Sequence, residues 1–276
     1  MRENQATLER LFDQRVVYGN PLVQRAGLSV DTSVKSDVLS TMRDVYVDVN
    51  RKLFDTDKVD EYLTSTYGPK YVLPPSYVAA VDVFYPEIGL LPVGNHLVPL
   101  PMGHASAFYH GGTQSLAIDT MAIPGTRKNK WARDLYNNAL NLVDRLADAS
   151  PTVYGGLRRL KSFYKGILDE LSSWKRMRKT GVHEMGHHVL EMEGVANYLT
   201  PSVNEGFTEN LTQEVTGERA SLEGTTYDHY MNMVGAGIRK VAGSVKNFIS
   251  KYRQRGKSVI ESLYRQPEVN SLPVAA

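Results

Sequence analysis

Apolar residues recur at spacings of three and four along much of the chain, which is the period of an amphipathic helix. This pattern predicts helices over residues 5–17, 34–54, 131–147, 151–178, 182–193, 202–216, 227–255 and 258–266. Thr180 and Gly181 are expected to precede the fifth of these helices, and Gly194 is expected to end it. Ser202 or Asn204 is expected to cap the sixth.

Strand patterns are confined to the region before residue 120. Residues 77–85 are β-branched and aromatic and predict a strand, and residues 105–119 predict a hairpin that turns at Gly111 and Gly112. Residues 88–103 are rich in Pro and Gly, so we expect a loop there with at most a short strand. Strands therefore come first and helices after, which favours an α+β fold with a small mixed or antiparallel sheet and a mainly helical C-terminal part.

Composition excludes several classes of protein. The 276 residues are 42% hydrophobic and 22% charged, with a net charge of +2 and no cysteine. A disulfide scaffold, a cysteine-type zinc site and thiol chemistry are therefore excluded. The first 17 residues lack the apolar core of a signal peptide, and no apolar run is long enough to cross a bilayer. We expect a cytoplasmic protein that does not act on membranes, with export by another route left open.

The run His183-Glu184-Met185-Gly186-His187 matches the motif H-E-x-x-H. On a helix the two histidines lie on the same face, because four residues are slightly more than one turn. They lie off the apolar stripe that Val182 and Met185 begin, so core packing does not account for them. Two imidazoles that converge form half of a zinc site, and Glu184 beside them is suited to act as a general base.

Two further acids follow on the next predicted helix. Glu205 and Glu209 lie one turn apart and off the apolar stripe of that helix. Glu209 is suited to accept the outer N–H of a ligand histidine. Alternatively, Glu205 only complements the helix dipole and Glu209 is a solvated surface residue.

H-E-x-x-H followed by Asn204-Glu205-Gly206-Phe207 resembles the gluzincin clan of zinc metallopeptidases, which includes the thermolysin-like enzymes and the aminopeptidase N family. Seventeen residues lie between His187 and Glu205, close to the spacing of the aminopeptidase N family. The resemblance covers about residues 109–230. It implies a single catalytic Zn²⁺ bound by His183, His187 and Glu205, with Glu209 supporting a ligand histidine.

The resemblance also implies two elements around the zinc site. An edge strand of the sheet, with Ala105, Ala107 and Tyr109, would lie beside the zinc-binding helix and pair with the substrate backbone; the alternative is an ordinary hairpin. A donor for the oxyanion would follow the third ligand. Tyr227 is the first choice for that donor, with His229 and Tyr230 as rivals, although most of the 16 tyrosines are expected to be packing residues.

These observations predict a domain division at residue 75. Residues 1–75 would form a helical segment of open role, whether pro-segment, substrate-binding lobe or attachment module. Residues 76–276 would form a zincin-like metallopeptidase domain with a helical insert at about 131–178, which either walls the cleft or covers it.

The predicted function is hydrolysis of peptide bonds in a peptide or protein substrate, with water as the nucleophile and Glu184 as general base. The G-x-M-E-N segment with which the aminopeptidase N family holds a free amine is absent, which favours an endopeptidase or a narrowly specific protease. Two alternatives stay open: a catalytically silent metal-binding structural or interaction protein, and a nucleic-acid-binding protein. The second would use the basic residues before the H-E-x-x-H helix and near the C-terminus, but it lacks a recognised binding motif. The sequence does not indicate the oligomeric state.

Overall fold

The computed structural model describes residues 2–54, 72–93, 96–103, 106–149, 154–218 and 226–272. The strands are β1 Val17–Tyr18, β2 Tyr77–Val81, β3 Glu87–Val93, β4 His96–Gly103, β5 Ala107–His110 and β6 Ser115–Asp119. The first helices are α1 Arg2–Arg15, α2 Pro21–Arg25, α3 Lys35–Leu53, α4 Arg127–Ala149, α5 Tyr154–Leu171 and α6 Lys175–Met192. They are followed by α7 Pro201–Thr216, α8 Thr226–Val241, α9 Val245–Arg255, α10 Ser258–Tyr264 and α11 Pro267–Asn270.

The described strands form a four-stranded mixed sheet in the order β1-β2-β6-β5 and a separate two-stranded hairpin of β3 and β4. β2 is parallel to β1 and β6, whereas β5 is antiparallel to β6 and lies at one edge. Helices make up most of the chain after β6. The α+β fold class with a small sheet and a mainly helical C-terminal part is therefore confirmed. No helix among the described residues combines the length and the apolar character needed to cross a bilayer.

The main core surrounds α6, the helix that carries the H-E-x-x-H motif. Helices α1 and α3, the sheet and α7–α10 contribute buried side chains to it. At Gly181 a Cβ atom would lie only 2.8 Å from Sδ of Met42 and 3.5 Å from Cγ2 of Val45, so glycine allows α3 to approach α6 closely. Residues on both sides of position 75 thus share one apolar core.

Several predicted helix boundaries are wrong. Thr180 and Gly181 do not precede α6 but are buried within it, because this glycine serves helix packing and not chain reversal. Thr200 occupies the N-cap position of α7 without a side-chain capping hydrogen bond, and Pro201 begins the helix, which therefore already includes Ser202.

The long helix predicted over residues 227–255 is divided in two. Gly243 adopts a φ of +86° after α8, and the side chain of Ser244 accepts a hydrogen bond from the backbone N–H of Asn247 at the start of α9. A left-handed glycine followed by a capping serine is a strong helix break. The other helix ends predicted from glycine are confirmed, since Gly194 and Gly217 have φ values of +71° and +77°.

The predicted loop over residues 88–103 is instead the β3–β4 hairpin. Its three prolines fall on one alternate set of register pairs, namely Ile88–Pro101, Leu90–Pro99 and Pro92–Leu97. In an antiparallel pair every second pair of residues makes no ladder hydrogen bonds, so prolines in that set cost none.

Helices α4 and α5 pack on each other and on β4 around a second core that includes Tyr136, Tyr164 and Leu100. This is the helical insert that the sequence predicts at 131–178, although the H-E-x-x-H helix already begins at Lys175. None of the described residues that line the cleft beside the H-E-x-x-H motif belongs to α4 or α5.

Candidate metal centre

The two histidines of the motif converge with an acid from the next helix. His183 and His187 lie one turn apart on α6, and Glu205 lies in the second turn of α7. Nε2 of His183 is 3.2 Å from Nε2 of His187 and 3.1 Å from Oε2 of Glu205. Nε2 of His187 is 3.6 Å from Oε1 of Glu205.

These separations fit a metal ion. Ligand atoms about 2.0–2.2 Å from a tetrahedral ion lie about 3.3–3.6 Å from one another. The donor atoms of His183, His187 and Glu205 form the one metal-competent His/Cys/Asp/Glu group found within the described ranges, with all three atoms within 4.8 Å of one another. The cluster can therefore hold a metal ion without any rearrangement of its helices.

The outer nitrogens of both rings face oxygen acceptors. Nδ1 of His183 is 3.4 Å from Oε1 of Glu209, and Nδ1 of His187 is 3.1 Å from Oδ1 of Asn204. A proton on Nδ1, the nitrogen nearer to these acceptors, would leave Nε2 of each ring with a lone pair. With that tautomer, two Nε2 lone pairs and a carboxylate point at one another, and a cation between them would be bound by all three.

The charges around the cluster also favour positive charge at this point. Burial alone would lower the pKa of His183, but the hydrogen bond to Glu205 and the charges of Glu184 and Glu209 raise it to about 9. Burial would raise the pKa of Glu205, but hydrogen bonds from His183 and His187 lower it to about 2. The carboxylates thus favour positive charge at the point where the three donor atoms meet.

Glu184 lines the same cleft without belonging to the donor cluster. It is only 7% exposed, and burial raises the pKa of its carboxyl group, against the opposing charges of His183 and His187. Its carboxylate accepts a hydrogen bond from the backbone N–H of Tyr109. This contact fixes the carboxylate between α6 and the edge strand β5.

Strand β5 lies at the open edge of the sheet beside the cleft. The backbone N–H of Asp119 donates to the carbonyl of Ser106, so Ser106 faces β6. Because orientation alternates along a strand, the backbone groups of Ala107 and Tyr109 point away from β6, and both residues line the cleft. Ala105 lies outside the described residues.

Polar contacts hold β5 against α6. The guanidinium of Arg176 donates to Oγ of Ser106 at 3.0 and 3.1 Å, just before β5 begins. His188, fully buried, donates from Nε2 to the carbonyl of Leu73 at 2.7 Å and accepts at Nδ1 from the hydroxyl of Tyr109 at 2.9 Å. Burial lowers the pKa of His188 to about 4, so the ring is neutral and structural.

The proposed oxyanion donors lie at the start of α8. The backbone of Tyr227 is helical, but its side chain is not among the described ones. His229 is exposed, and Tyr230 packs its backbone against α7, where an added Cβ on Gly206 would lie 2.6 Å from its carbonyl oxygen. Neither His229 nor Tyr230 is among the described residues that line the cleft. The role of Tyr227 stays a prediction.

Asn204 and Glu191 belong to the site, although the sequence pattern does not assign them to it. In the sequence, Asn204 is a candidate helix cap and the first residue of N-E-G-F; its adjacency to Glu205 on the first turns of α7 is the signal that could identify it as a partner of the histidines. Glu191 and Glu193 both resemble solvated residues of a helix end. Glu193 pairs with Arg253, its Oε2 accepting from Nε at 2.7 Å, whereas Glu191 is exposed, as this pattern predicts, and also lines the cleft.

The cleft has a volume of about 480 Å³. Its described lining comes from β5, α6, the turn before α7 and the first turns of α7, and consists of Ala107, Phe108, Tyr109, Gly111, His183, Glu184, His187, Glu191, Ala196, Leu199, Pro201, Asn204 and Glu205.

Comparison of the chain with family models, with curated proteins and with solved structures gave no significant match.

Proposed function

We propose that the protein is a zinc-dependent peptidase of the gluzincin type. The observation that carries this proposal is the orientation of the two histidines, whose Nδ1 atoms face acceptors while their Nε2 atoms face Glu205. Two neutral imidazoles and one carboxylate form a donor set that suits zinc and leaves room for a fourth ligand.

A zinc ion at this position would supply a Lewis acid that polarises a carbonyl and lowers the pKa of a water molecule. Glu184 is the residue suited to move the proton. Its carboxylate would take a proton from the attacking water and deliver it to the nitrogen of the leaving amine. Burial raises the pKa of Glu184, which makes it a better base, and the N–H of Tyr109 keeps its carboxylate oriented.

The open edge of β5 supports a peptide as the substrate. Ala107 and Tyr109 direct backbone groups into the cleft, and an extended peptide can add to such an edge as a further strand. Pairing of this kind recognises the substrate backbone and leaves its side chains free. We propose an endopeptidase or a narrowly specific protease, because the sequence lacks the amine-binding segment of the aminopeptidase N family.

Metal analysis and a peptide library test this function together. We expect the purified protein to contain about one zinc per chain, and His183→Ala and Glu205→Ala to lose it. His110→Ala serves as the matched control, since His110 is exposed and lies outside the cleft lining. Glu184→Gln should keep the zinc but lose all cleavage of a broad fluorogenic library. A zinc-loaded wild type that cleaves no member of that library would refute the peptidase function.

A further inference from the structure

Glu191 lies one turn beyond His187 on the same face of α6 and reaches the end of β5. A Cβ atom added to Gly111 would lie 1.6 Å from Oε2 of Glu191, so the carboxylate occupies the space that a side chain at position 111 would fill. Glu191 is an exposed residue, and Gly111 allows its carboxylate to lie across the end of β5 at the cleft.

The Glu191 carboxylate has no hydrogen bond or ion pair with any residue in the described part of the chain. Glu193, two positions further on, pairs with Arg253 at 2.7 Å, so carboxylates at this helix end do find cations when one is near. Glu191 also acts electrostatically on a residue of the cleft. Burial raises the pKa of the Tyr109 hydroxyl, and the negative charge of Glu191 raises it further.

The described cleft lining carries a negative excess. It contains three carboxylates, those of Glu184, Glu191 and Glu205, and neither lysine nor arginine. If both histidines are neutral and a divalent ion is bound, the three carboxylates and the ion together carry a net charge of −1. A cleft lined by one sign of charge attracts ligands of the opposite sign and repels those of the same sign.

The position of Glu191 relates this charge to the substrate. Tyr109 donates to Glu184 and so marks the point along β5 where bond cleavage would occur. Gly111, which Glu191 contacts, is two residues further, about 7 Å along an extended backbone. A lysine or arginine side chain next to the scissile bond, or a terminal ammonium one or two residues away, can span that distance.

We infer that Glu191 is a specificity-determining residue that binds a cationic group of the peptide, either a basic side chain or a free terminal amine, beside the scissile bond. This inference rests on the proposed function, since it assumes a peptide extended along β5. Gly111 acts as a positioning residue, because it determines where the carboxylate lies.

Equilibrium binding to the zinc-loaded Glu184→Gln protein tests the inference without depending on turnover. The probes are N-acetylated, C-amidated alanine-rich peptides with one lysine scanned through the sequence, each matched by a norleucine peptide of the same shape. A second pair compares a free with an acetylated N-terminus, and so distinguishes a terminal amine from a side chain. A wild type that cleaves no peptide would contradict the proposed function, whereas the charge preference is measured separately here.

We expect at least one cationic probe to bind about fivefold more tightly than its neutral match, as for a partly exposed ion pair, with the difference lost at about 1 M salt. Glu191→Gln should abolish the preference without weakening the neutral peptide. Gly111→Ala should reduce the preference although the carboxylate is retained. Glu261→Gln, which removes an exposed carboxylate outside the cleft lining, should leave it unchanged.

Two results would overturn the inference. One is equal binding of the cationic and neutral probes to the parent protein, or no binding of any cationic probe. The other is a cationic preference that survives Glu191→Gln, which would assign the preference to another group. A preference that survives Gly111→Ala would refute the positioning role of Gly111.

Discussion

Asn204 faces the outer nitrogen of His187 and favours a proton there, so Asn204→Ala should weaken zinc binding although Asn204 is not itself a ligand. Its Oδ1 lies 3.1 Å from Nδ1 of His187. Loss of a neutral hydrogen bond of this kind costs about 1 kcal/mol, or about fivefold in affinity. The freed ring would also place its proton on Nε2 part of the time, where it blocks zinc. The sum gives a loss of at least about tenfold, within the usual range for an outer partner of a ligand histidine.

Zinc affinity is measured by competition with a chromophoric chelator at fixed pH. Asn204→Asp is the matched control, since aspartate keeps an acceptor oxygen at the same position and should bind zinc at least as tightly as the wild type. Alanine is a good helix former, so circular dichroism should show α7 intact in Asn204→Ala. A dissociation constant that stays within twofold of the wild type in Asn204→Ala would refute the argument that this amide fixes the ring.

Three further outcomes are expected. A zinc ion would join α6 to α7, so removing it with a chelator should destabilise the protein. From a starting zinc concentration of about 100 times the dissociation constant, the melting temperature should fall by about 5 °C. An unchanged melting curve would contradict this. His188→Phe should lower the free energy of unfolding by about 1–3 kcal/mol in denaturant titrations, because the carbonyl of Leu73 loses a buried donor. The zinc content of that variant should be unchanged, and a loss of zinc would make His188 more than structural. Gly206→Ala should cost about 1–3 kcal/mol, because the added Cβ would lie 2.6 Å from the backbone oxygen of Tyr230; an unaltered unfolding midpoint would show that α8 shifts freely.

Local periodicity explains why part of the metal centre could be predicted from the sequence. The relation between His183 and His187 depends only on the pitch of one helix, so four residues of spacing are sufficient to place both rings together. Glu205 required a resemblance as well, because its distance from the histidines depends on how α7 packs against α6. The apolar stripes do not predict that packing. They define the face that each helix buries, but not how far one helix is rotated or shifted along the other.

The features that sequence reasoning missed depend on long-range packing or on register. Asn204 meets His187 only because α7 crosses α6 at one particular offset. Gly181 resembles a helix boundary in sequence, yet its lack of a side chain serves contact with Met42, 139 positions earlier. Pro99 and Pro101 are untypical of a strand, because proline has no backbone N–H to donate. They alternate with residues that do have one, and this alternation is compatible with a two-stranded ladder.

The close contact at Gly181 has a consequence for any attempt to shorten the chain from its N-terminus. The side of α6 opposite the ligand face carries Val182 and Met185, both fully buried, and α3 supplies Met42 and Val45 to the same core. Proteolytic removal of residues 1–54 would expose this apolar surface to solvent, and exposed apolar surface promotes self-association. Truncation would therefore yield aggregates and not an activated protein, so the first helices are best kept in any fragment intended for crystallisation or assay.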